Sequence, residues 1–147
     1  MAAWLPDDAV LREDTVEEVP YAWIISWTTR RWLATRNPLD APVGLGPLLV
    51  SRQTGRVTAY SSAYGVASAL ELYEEENQLY GLRVTADLHD PRTRLLVKRL
   101  AQLSPLALLA LARAPAAWVA RGSRARLLAL QQQWAAQGLA TTVETCF

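Results

Sequence analysis

The strongest constraint on the fold lies in residues 46–60, which read GPLLVSRQTGRVTAY. An apolar run at 48–50 leads into a polar turn at 53–55, and a second run, rich in β-forming residues, follows at 57–60. Two such runs joined by a short loop containing glycine predict a β-hairpin, with Gly55 in the left-handed conformation. The first half of the chain is therefore predicted to contain an antiparallel sheet.

Residues 21–29 (YAWIISWTT) are aromatic and β-branched, which predicts a strand upstream of the hairpin. Alternation places Trp23 and Trp27 on one face of that strand, and so heavy an aromatic stripe is expected to face the core. RRWLAT (30–35) is predicted to continue into a partner strand. Prolines and glycines predict a loop over 36–46.

The segment GVASALELYEEEN (65–77) predicts a helix whose last turn gathers Glu74, Glu75 and Glu76. Acids at the C-terminal end of a helix oppose the helix dipole. Two interpretations remain open: a solvated helix end, or carboxylates placed there to make a contact.

The second half predicts three strands and three helices in the order β-α-α-β-α-β. Its strands are expected within 79–88, 116–122 and 139–147, and its helices begin after the N-capping residues Asp90, Ser104 and Ser123. The fold class predicted for the whole chain is α+β: an antiparallel sheet with one helix, then a compact three-stranded lobe.

Charge divides along the same line. Residues 1–78 carry six bases and eleven acids, and residues 79–147 carry nine bases and three acids, which gives net charges of −5 and +6. We expect two lobes, 1–78 and 79–147, whose opposite charges favour docking of the second on the first. Solvated charged faces are the alternative explanation.

Composition narrows the class of protein. The 51% hydrophobic and 20% charged content is that of a globular chain, and the single cysteine, Cys146, excludes an internal disulfide and a zinc site built from several cysteines. We expect a cytoplasmic protein, because the chain shows neither a basic, apolar leader nor an apolar run long enough to cross a bilayer.

Catalytic and metal-binding alternatives rest on few residues. A dyad of His89 and Cys146 would support a small hydrolase, and Asp87 with Asp90 could join His89 as metal ligands. Each residue also has a simpler explanation, since Asp90 precedes a proline as a helix cap does. The prediction is therefore a protein that is not an enzyme and has no cofactor, catalytic residue or metal site.

Recognition of another protein is the function that the residue pattern favours. Nucleic-acid binding ranks lower, because four of the nine cations of the second half lie on one amphipathic helix, where a solvated face is normal. Trp and Arg are the usual anchors of tight interfaces, and acids mainly steer association. The predicted contact residues are Arg30, Arg31, Trp32, Arg52, Glu74, Glu75 and Glu76.

The first half resembles the immunity protein 35 family. The resemblance is carried by W23-IIS-W27, Trp32, G44-L-G46-P47, T54-G55 and Leu70–Tyr73, within the span from Tyr21 to Glu75. It implies a cytoplasmic antitoxin, encoded beside a polymorphic or contact-delivered bacterial toxin, that neutralises the toxin by binding. The partner implied is a cognate toxin, with no nucleic acid and no membrane; the oligomeric state stays open.

The second half, from about Leu82 to Glu144, is similar to the C-terminal domain of the bacterial ribosomal stalk protein. The likeness lies in the element order and in LVKRLAQLSPLALLALARAPAAWVARG followed by a capped helix. It implies that Lys98, Arg99 and the helix from Pro105 occupy the places of a factor-recruiting surface. An intracellular adaptor that uses this lobe is therefore the alternative to an immunity protein.

Overall fold

The computed structural model describes residues 5–114 and 116–147. The chain divides into two compact units, with the boundary between Ala69 and Leu70. The boundary lies inside a helix, Val66–Asn77, and not after residue 78 as the charge pattern suggested. The acids at the end of that helix therefore belong to the second unit.

The first unit is built on antiparallel strands. Its elements are β1 (Ala9–Leu11), β2 (Glu17–Val19), β3 (Ala22–Ile25), β4 (Trp27–Thr29), α1 (Arg30–Thr35), β5 (Leu45–Ser51), β6 (Val57–Ser61) and the start of α2 (Val66–Asn77). Four strands form a sheet in the order β2-β3-β5-β6, and β1 pairs with β4. Short 3-10 helices lie at Glu13–Thr15 and Pro38–Asp40.

The predicted hairpin is confirmed. Strands β5 and β6 pair antiparallel, and Gly55 has a φ of +69° in the connecting turn. The Gly55 N–H donates to the carbonyl of Ser51 at 2.9 Å, which closes the turn. Leu49 of the incoming strand is fully buried, so the hairpin contributes directly to the core of this unit.

The prediction for residues 21–29 is wrong in two respects. The segment forms two strands, β3 and β4, separated at Ser26, whose carbonyl accepts a hydrogen bond from the Arg12 N–H at 2.9 Å. The buried face of β3 carries Ala22 and Ile24, whereas Trp23 is 37% exposed. Alternation defines two faces of a strand but does not say which face is covered. Ile24 pairs with Leu49 of β5 and both side chains are buried, so the covered face of the sheet is the one that carries Ala22 and Ile24.

The predicted partner strand at 30–35 is also wrong, because these residues form α1. The Thr29 hydroxyl accepts a hydrogen bond from the Trp32 N–H at 3.2 Å, which caps the helix start. Arg36 ends the helix in the left-handed conformation, with its N–H donating to the Trp32 carbonyl at 2.8 Å. The chain therefore turns away from the sheet immediately after β4.

The second unit contains the rest of α2 and a three-stranded antiparallel sheet in the order β8-β7-β9. Its elements are β7 (Tyr80–Val84), α3 (Pro91–Leu100), α4 (Pro105–Arg113), β8 (Ala120–Gly122), α5 (Arg124–Ala135) and β9 (Thr141–Thr145). The predicted β-α-α-β-α-β order and the α+β class are confirmed. Leu82, Val97, Leu127 and Leu139 are buried in this unit.

Three helices of the second unit begin at the predicted caps. The side chains of Asp90, Ser104 and Ser123 accept hydrogen bonds from backbone N–H groups three residues later, at 2.9, 3.1 and 3.3 Å. The pKa of Asp90 lies below its ordinary value because the backbone and hydroxyl of Thr93 both donate to its carboxylate. Local capping chemistry thus fixes where each of these helices starts.

Candidate protein-binding surfaces

The first candidate surface lies where α1 meets the 3-10 helix that follows it. The Arg31 Nε lies 2.6 Å from an Asp40 carboxylate oxygen, and the second oxygen accepts a hydrogen bond from the Thr35 hydroxyl at 2.8 Å. The Asp40 side chain is only 10% exposed, whereas that of Arg31 is 74% exposed. Asp40 therefore holds the loop against α1, and Arg31 remains available to solvent on one side of the pair.

Trp32 and Arg30 flank Arg31 on α1. The Arg36 guanidinium lies 4.5 Å from the centre of the Trp32 ring, within the range of a cation–π contact. The Trp32 side chain is half-buried, and Arg30 is exposed, with its backbone N–H bonded to the Asp8 carbonyl at 3.0 Å. Two of the predicted anchors therefore stand on a short helix that is tied to its neighbours.

A cleft of about 640 Å³ lies within the first unit and has Arg31 of α1 in its wall. Trp27, Arg31 and Asp40 line it, and the loop residues Leu39 and Val43 border it. Leu39 is 91% exposed and Val43 is 86% exposed. We call Arg31, Trp32, Leu39 and Val43 the loop–helix surface.

The sequence prediction included the loop but missed Leu39 and Val43. The signal was present, because Leu39 and Val43 stand among the prolines and glycines of the predicted loop. An aliphatic residue in such a loop must either fold back onto the core or remain in solvent. Leu39 and Val43 remain in solvent, as their high exposure shows, and both are therefore candidate contact residues.

Arg52 lies in a different part of the first unit. Its Nη1 is 2.6 Å from a Glu18 carboxylate oxygen, and its guanidinium lies 5.7 Å from the centre of the Trp23 ring. Register pairing sets Glu18 opposite Trp23 and Trp23 opposite Val50 on one face of the sheet. Arg52 therefore belongs to a sheet-face patch with Trp23, separate from the residues of the loop–helix surface.

The acids at the end of α2 contact the N-terminus of α5. A Glu75 carboxylate oxygen accepts hydrogen bonds from the Ser123 N–H at 2.6 Å and from the Arg126 Nε at 3.0 Å. A Glu74 carboxylate oxygen accepts from the Arg124 N–H at 2.9 Å. Negative charge at a helix N-terminus is stabilising, because the first N–H groups have no partner inside the helix.

These contacts lower the pKa of Glu75 below its ordinary value. The hydrogen bond from Arg126 is the largest cause, and the Ser123 N–H adds to it, while partial burial acts in the opposite direction. Of the two interpretations that the sequence left open, Glu74 and Glu75 therefore fit the second: their carboxylates make contacts inside the second unit. Glu76, the third predicted residue of the run, is exposed.

Gly122 completes this arrangement, which we call the helix-cap cluster: Glu74, Glu75, Gly122, Ser123 and Arg126. Gly122 has a φ of +151°, a conformation that side-chain-bearing residues rarely adopt. A Cβ atom at this position would collide with the Glu75 carboxylate and the Arg126 guanidinium. The Arg126 guanidinium also donates to the carbonyl of Arg121, so the cluster joins β8 to α5.

The residues of the catalytic alternative are not assembled. The Cys146 N–H bonds to the Leu79 carbonyl at 2.8 Å, which places Cys146 at the start of β7, whereas His89 follows the end of that strand. No hydrogen bond joins His89 to Cys146 in the described parts of the chain. The Asp87 carboxylate accepts from the His89 backbone N–H at 2.8 Å, as in an ordinary turn.

Two further features bear on the class of protein. Among residues 5–114 and 116–147, no three His, Cys, Asp or Glu side chains cluster closely enough to hold a metal ion. The helices of the same ranges are all too short or too polar to cross a bilayer.

Comparison with known protein families gives a match in the first half of the chain. A family model described as immunity protein 35 matches residues 2–76. No curated protein and no solved structure matches the chain, so the resemblance of the second half to the ribosomal stalk domain is not confirmed. The matched span covers half of the chain and contains the loop–helix surface and the sheet-face patch. The chain belongs to the immunity protein 35 family.

Proposed function

We propose that this protein binds and neutralises a cognate secreted bacterial toxin in the cytoplasm of the cell that produces the toxin. Membership of an immunity protein family is the observation that carries the proposal. Neutralisation proceeds by formation of a stoichiometric complex that blocks the active site of the toxin. The protein itself makes and breaks no bonds in this scheme.

The loop–helix surface is the contact site that the geometry supports best. Leu39 and Val43 offer apolar area beside a cleft that is already formed, and Arg31 and Trp32 are residue types that dominate binding energy in tight interfaces. The Arg31–Asp40 pair holds the loop in place before binding. A preorganised surface loses less conformational entropy on association, which favours high affinity.

Arg52 and Arg30 are secondary contacts in this proposal. Arg52 already pairs with Glu18 and lies over Trp23, so a partner that uses it must accept that arrangement. Exposed charges of this kind change the rate of association more than the final affinity. Glu74 and Glu75 act within the second unit, and their removal is expected to affect folding before it affects binding.

The test is co-expression with the toxin encoded by the neighbouring gene. We expect the full chain to restore growth of cells that express the toxin and to co-purify with the toxin at equal stoichiometry. A catalytically inactive toxin should still bind, because the proposal requires contact and not turnover. Undiminished toxicity in the presence of abundant, folded chain would rule out the proposal.

A further inference from the structure

Helices α3 and α4 of the second unit border an apolar groove that lies outside the span matched by the family model. The groove has a volume of about 500 Å³, and its lining combines Leu95, Leu108 and Leu109 with the cations Arg94 and Lys98. Leu95 is 68% exposed and Leu109 is 49% exposed. Leucines this exposed on adjacent helices form an uncovered apolar strip, in contrast to the isolated apolar residues that any surface carries.

A second concavity is lined by α3 and by the residues that directly follow it. Its volume is about 770 Å³. Leu95 and Lys98 line both this concavity and the first groove. Leu96 and Leu103 add apolar surface there, and Arg99 adds a further cation. The two concavities therefore share one ridge of α3, and a ligand on that ridge would contact leucines and cations together.

The charge of this region has one sign. Residues 91–113 contain five cations and no acid, and four of the cations lie on α3. Arg94 and Lys98 make no ion pair with the described residues, whereas Arg31, Arg83 and Arg126 each pair with a carboxylate. Arg94 and Lys98 are therefore available to pair with carboxylates of a ligand.

We propose that the α3–α4 groove binds an acidic amphipathic α-helix of another protein. Apolar side chains at helical spacing would lie against Leu95, Leu108 and Leu109, and flanking carboxylates would face Arg94 and Lys98. A helix laid into a groove between two helices buries a strip of this kind, and its anchors recur at i, i+3, i+4 and i+7. The inference does not depend on the identity of the toxin or on the loop–helix surface.

Two other ligand classes fit the observations less well. A nucleic-acid backbone requires polar donors along its track, whereas most of the residues that line this groove are leucine or proline. An anionic membrane surface suits a single amphipathic helix that lies in its plane, whereas the leucines that line this groove come from two helices, α3 and α4. Both classes are included in the test as competing outcomes.

The test uses the full chain and a fluorescein-labelled synthetic helix that carries leucines at i, i+3, i+4 and i+7 with glutamates on both flanks. Matched probes are the same peptide with lysines replacing the glutamates, a scrambled acidic peptide, a single-stranded oligonucleotide and vesicles of neutral and anionic phospholipid. Fluorescence anisotropy of the peptides and oligonucleotide, and co-sedimentation with the vesicles, measure binding. We expect the acidic helix to bind at least about tenfold more tightly than either control peptide.

Two variants connect that binding to the groove. Leu109→Glu is expected to weaken binding of the acidic helix by about tenfold or more, and Lys98→Glu to weaken it and reduce its salt dependence. Leu128→Glu is the matched control, because Leu128 is 37% exposed on α5, outside the groove, and it should leave binding unchanged. Circular dichroism spectra that match the wild type verify the fold of all three.

The proposal is overturned if the acidic helix binds no better than its scrambled or lysine-containing counterparts. Tighter binding of the oligonucleotide or the anionic vesicles would equally overturn it, in favour of the corresponding ligand class. Unchanged affinity in both Leu109→Glu and Lys98→Glu would place the bound helix elsewhere on the protein and would also overturn it.

Discussion

The charged side chains of the two units have different surroundings. In the first unit, Arg31 pairs with Asp40 beside exposed aliphatic residues, so the charge holds a loop in position at a surface. In the second unit, Glu75 bonds to the first N–H groups of α5 and to Arg126, so the charge holds two elements of the fold together. The comparison shows that a run of acids at a helix end can be part of the fold, whereas we propose that Arg31, beside its loop, belongs to a binding surface.

The net charges of the two structural units differ from those of the two sequence halves. The structural boundary assigns seven acids and six bases to residues 1–69, and seven acids and nine bases to residues 70–147. The large opposite charges predicted for the two halves shrink because the acids of α2, among them Glu74 and Glu75, belong to the second unit. Positive charge instead concentrates locally on α3, where four cations lie without an acid.

The largest expected effect breaks the helix-cap cluster. Gly122→Ala should lower the free energy of unfolding by about 3 kcal/mol, because the new Cβ meets Glu75 and Arg126 and the backbone conformation disfavours a side chain. Urea denaturation followed by circular dichroism measures the change. Gly65→Ala is the control, since a Cβ there meets open space, and it should change stability by less than about 0.5 kcal/mol. Equal effects of the two substitutions would contradict the structural role of the cluster.

The next effect concerns binding and should leave stability intact. The double substitution Leu39→Glu with Val43→Glu is expected to weaken toxin binding about thirtyfold, or about 2 kcal/mol, because two apolar contacts become charged. Isothermal titration calorimetry with inactive toxin measures the affinity. Leu128→Glu provides the control for adding a charge at an exposed leucine. Undiminished affinity in the double variant would remove the loop–helix surface from the interface.

A smaller effect on stability should distinguish the buried helix cap Ser123 from the exposed helix cap Ser104. Ser123→Ala should lower the free energy of unfolding by about 1 kcal/mol, because the α5 start loses its side-chain acceptor. Ser123 is only 1% exposed, so water cannot replace that hydrogen bond. Ser104→Ala at the exposed start of α4 should cost about half as much. The reverse order, measured by urea denaturation, would show that the helix-cap cluster does not depend on this hydroxyl.

The sequence could predict the features that depend on neighbouring residues, but not those that depend on residues far away in the chain. The hairpin and the three caps are local, because Gly55, Asp90, Ser104 and Ser123 act within four residues of their own positions. Ala22 is buried in place of Trp23 on the face that β3 shares with Leu49, which lies more than twenty residues away in the chain, so alternation within β3 alone cannot indicate it. The backbone partners of Glu74 and Glu75 lie 50 and 48 residues further along the chain, and no local pattern around α2 indicates them.

The strand prediction for residues 30–35 failed for a different reason. Its residues have no strong preference, since Trp and Thr favour strands while Arg, Leu and Ala favour helices. The decisive interaction is the single hydrogen bond from the Trp32 N–H to the Thr29 hydroxyl, and Thr29 itself ends a strand. A threonine that both ends a strand and caps a helix looks like strand continuation in the sequence.

The smallest expected effect is a change in pH dependence. Because the pKa of Glu75 is lower in the folded state, its contribution to stability is complete above the ordinary pKa and is lost as the pH falls through the folded value. Glu75→Gln should therefore flatten the loss of stability on acidification from neutral pH. The size is modest because the side chain is 44% exposed and solvent screens the pair.

Glu71→Gln on the same helix is the matched control for this experiment. Glu71 is exposed and forms no hydrogen bond or ion pair with the described residues, so its substitution should leave the pH profile as in the wild type. Urea denaturation at neutral and acidic pH gives both profiles. Identical profiles for Glu75→Gln and the wild type would contradict a carboxylate that is stabilised in the folded state.

Hydrogen–deuterium exchange of the full chain, alone and bound to its inactive cognate toxin, tests the central claim most directly. The account predicts slower exchange on binding in residues 30–46, which contain α1 and the loop with Leu39 and Val43. Peptides that cover 70–78 and 121–126 should exchange equally in both states, since the helix-cap cluster is formed without the toxin. Slower exchange confined to those two segments, with no change in 30–46, would contradict the account.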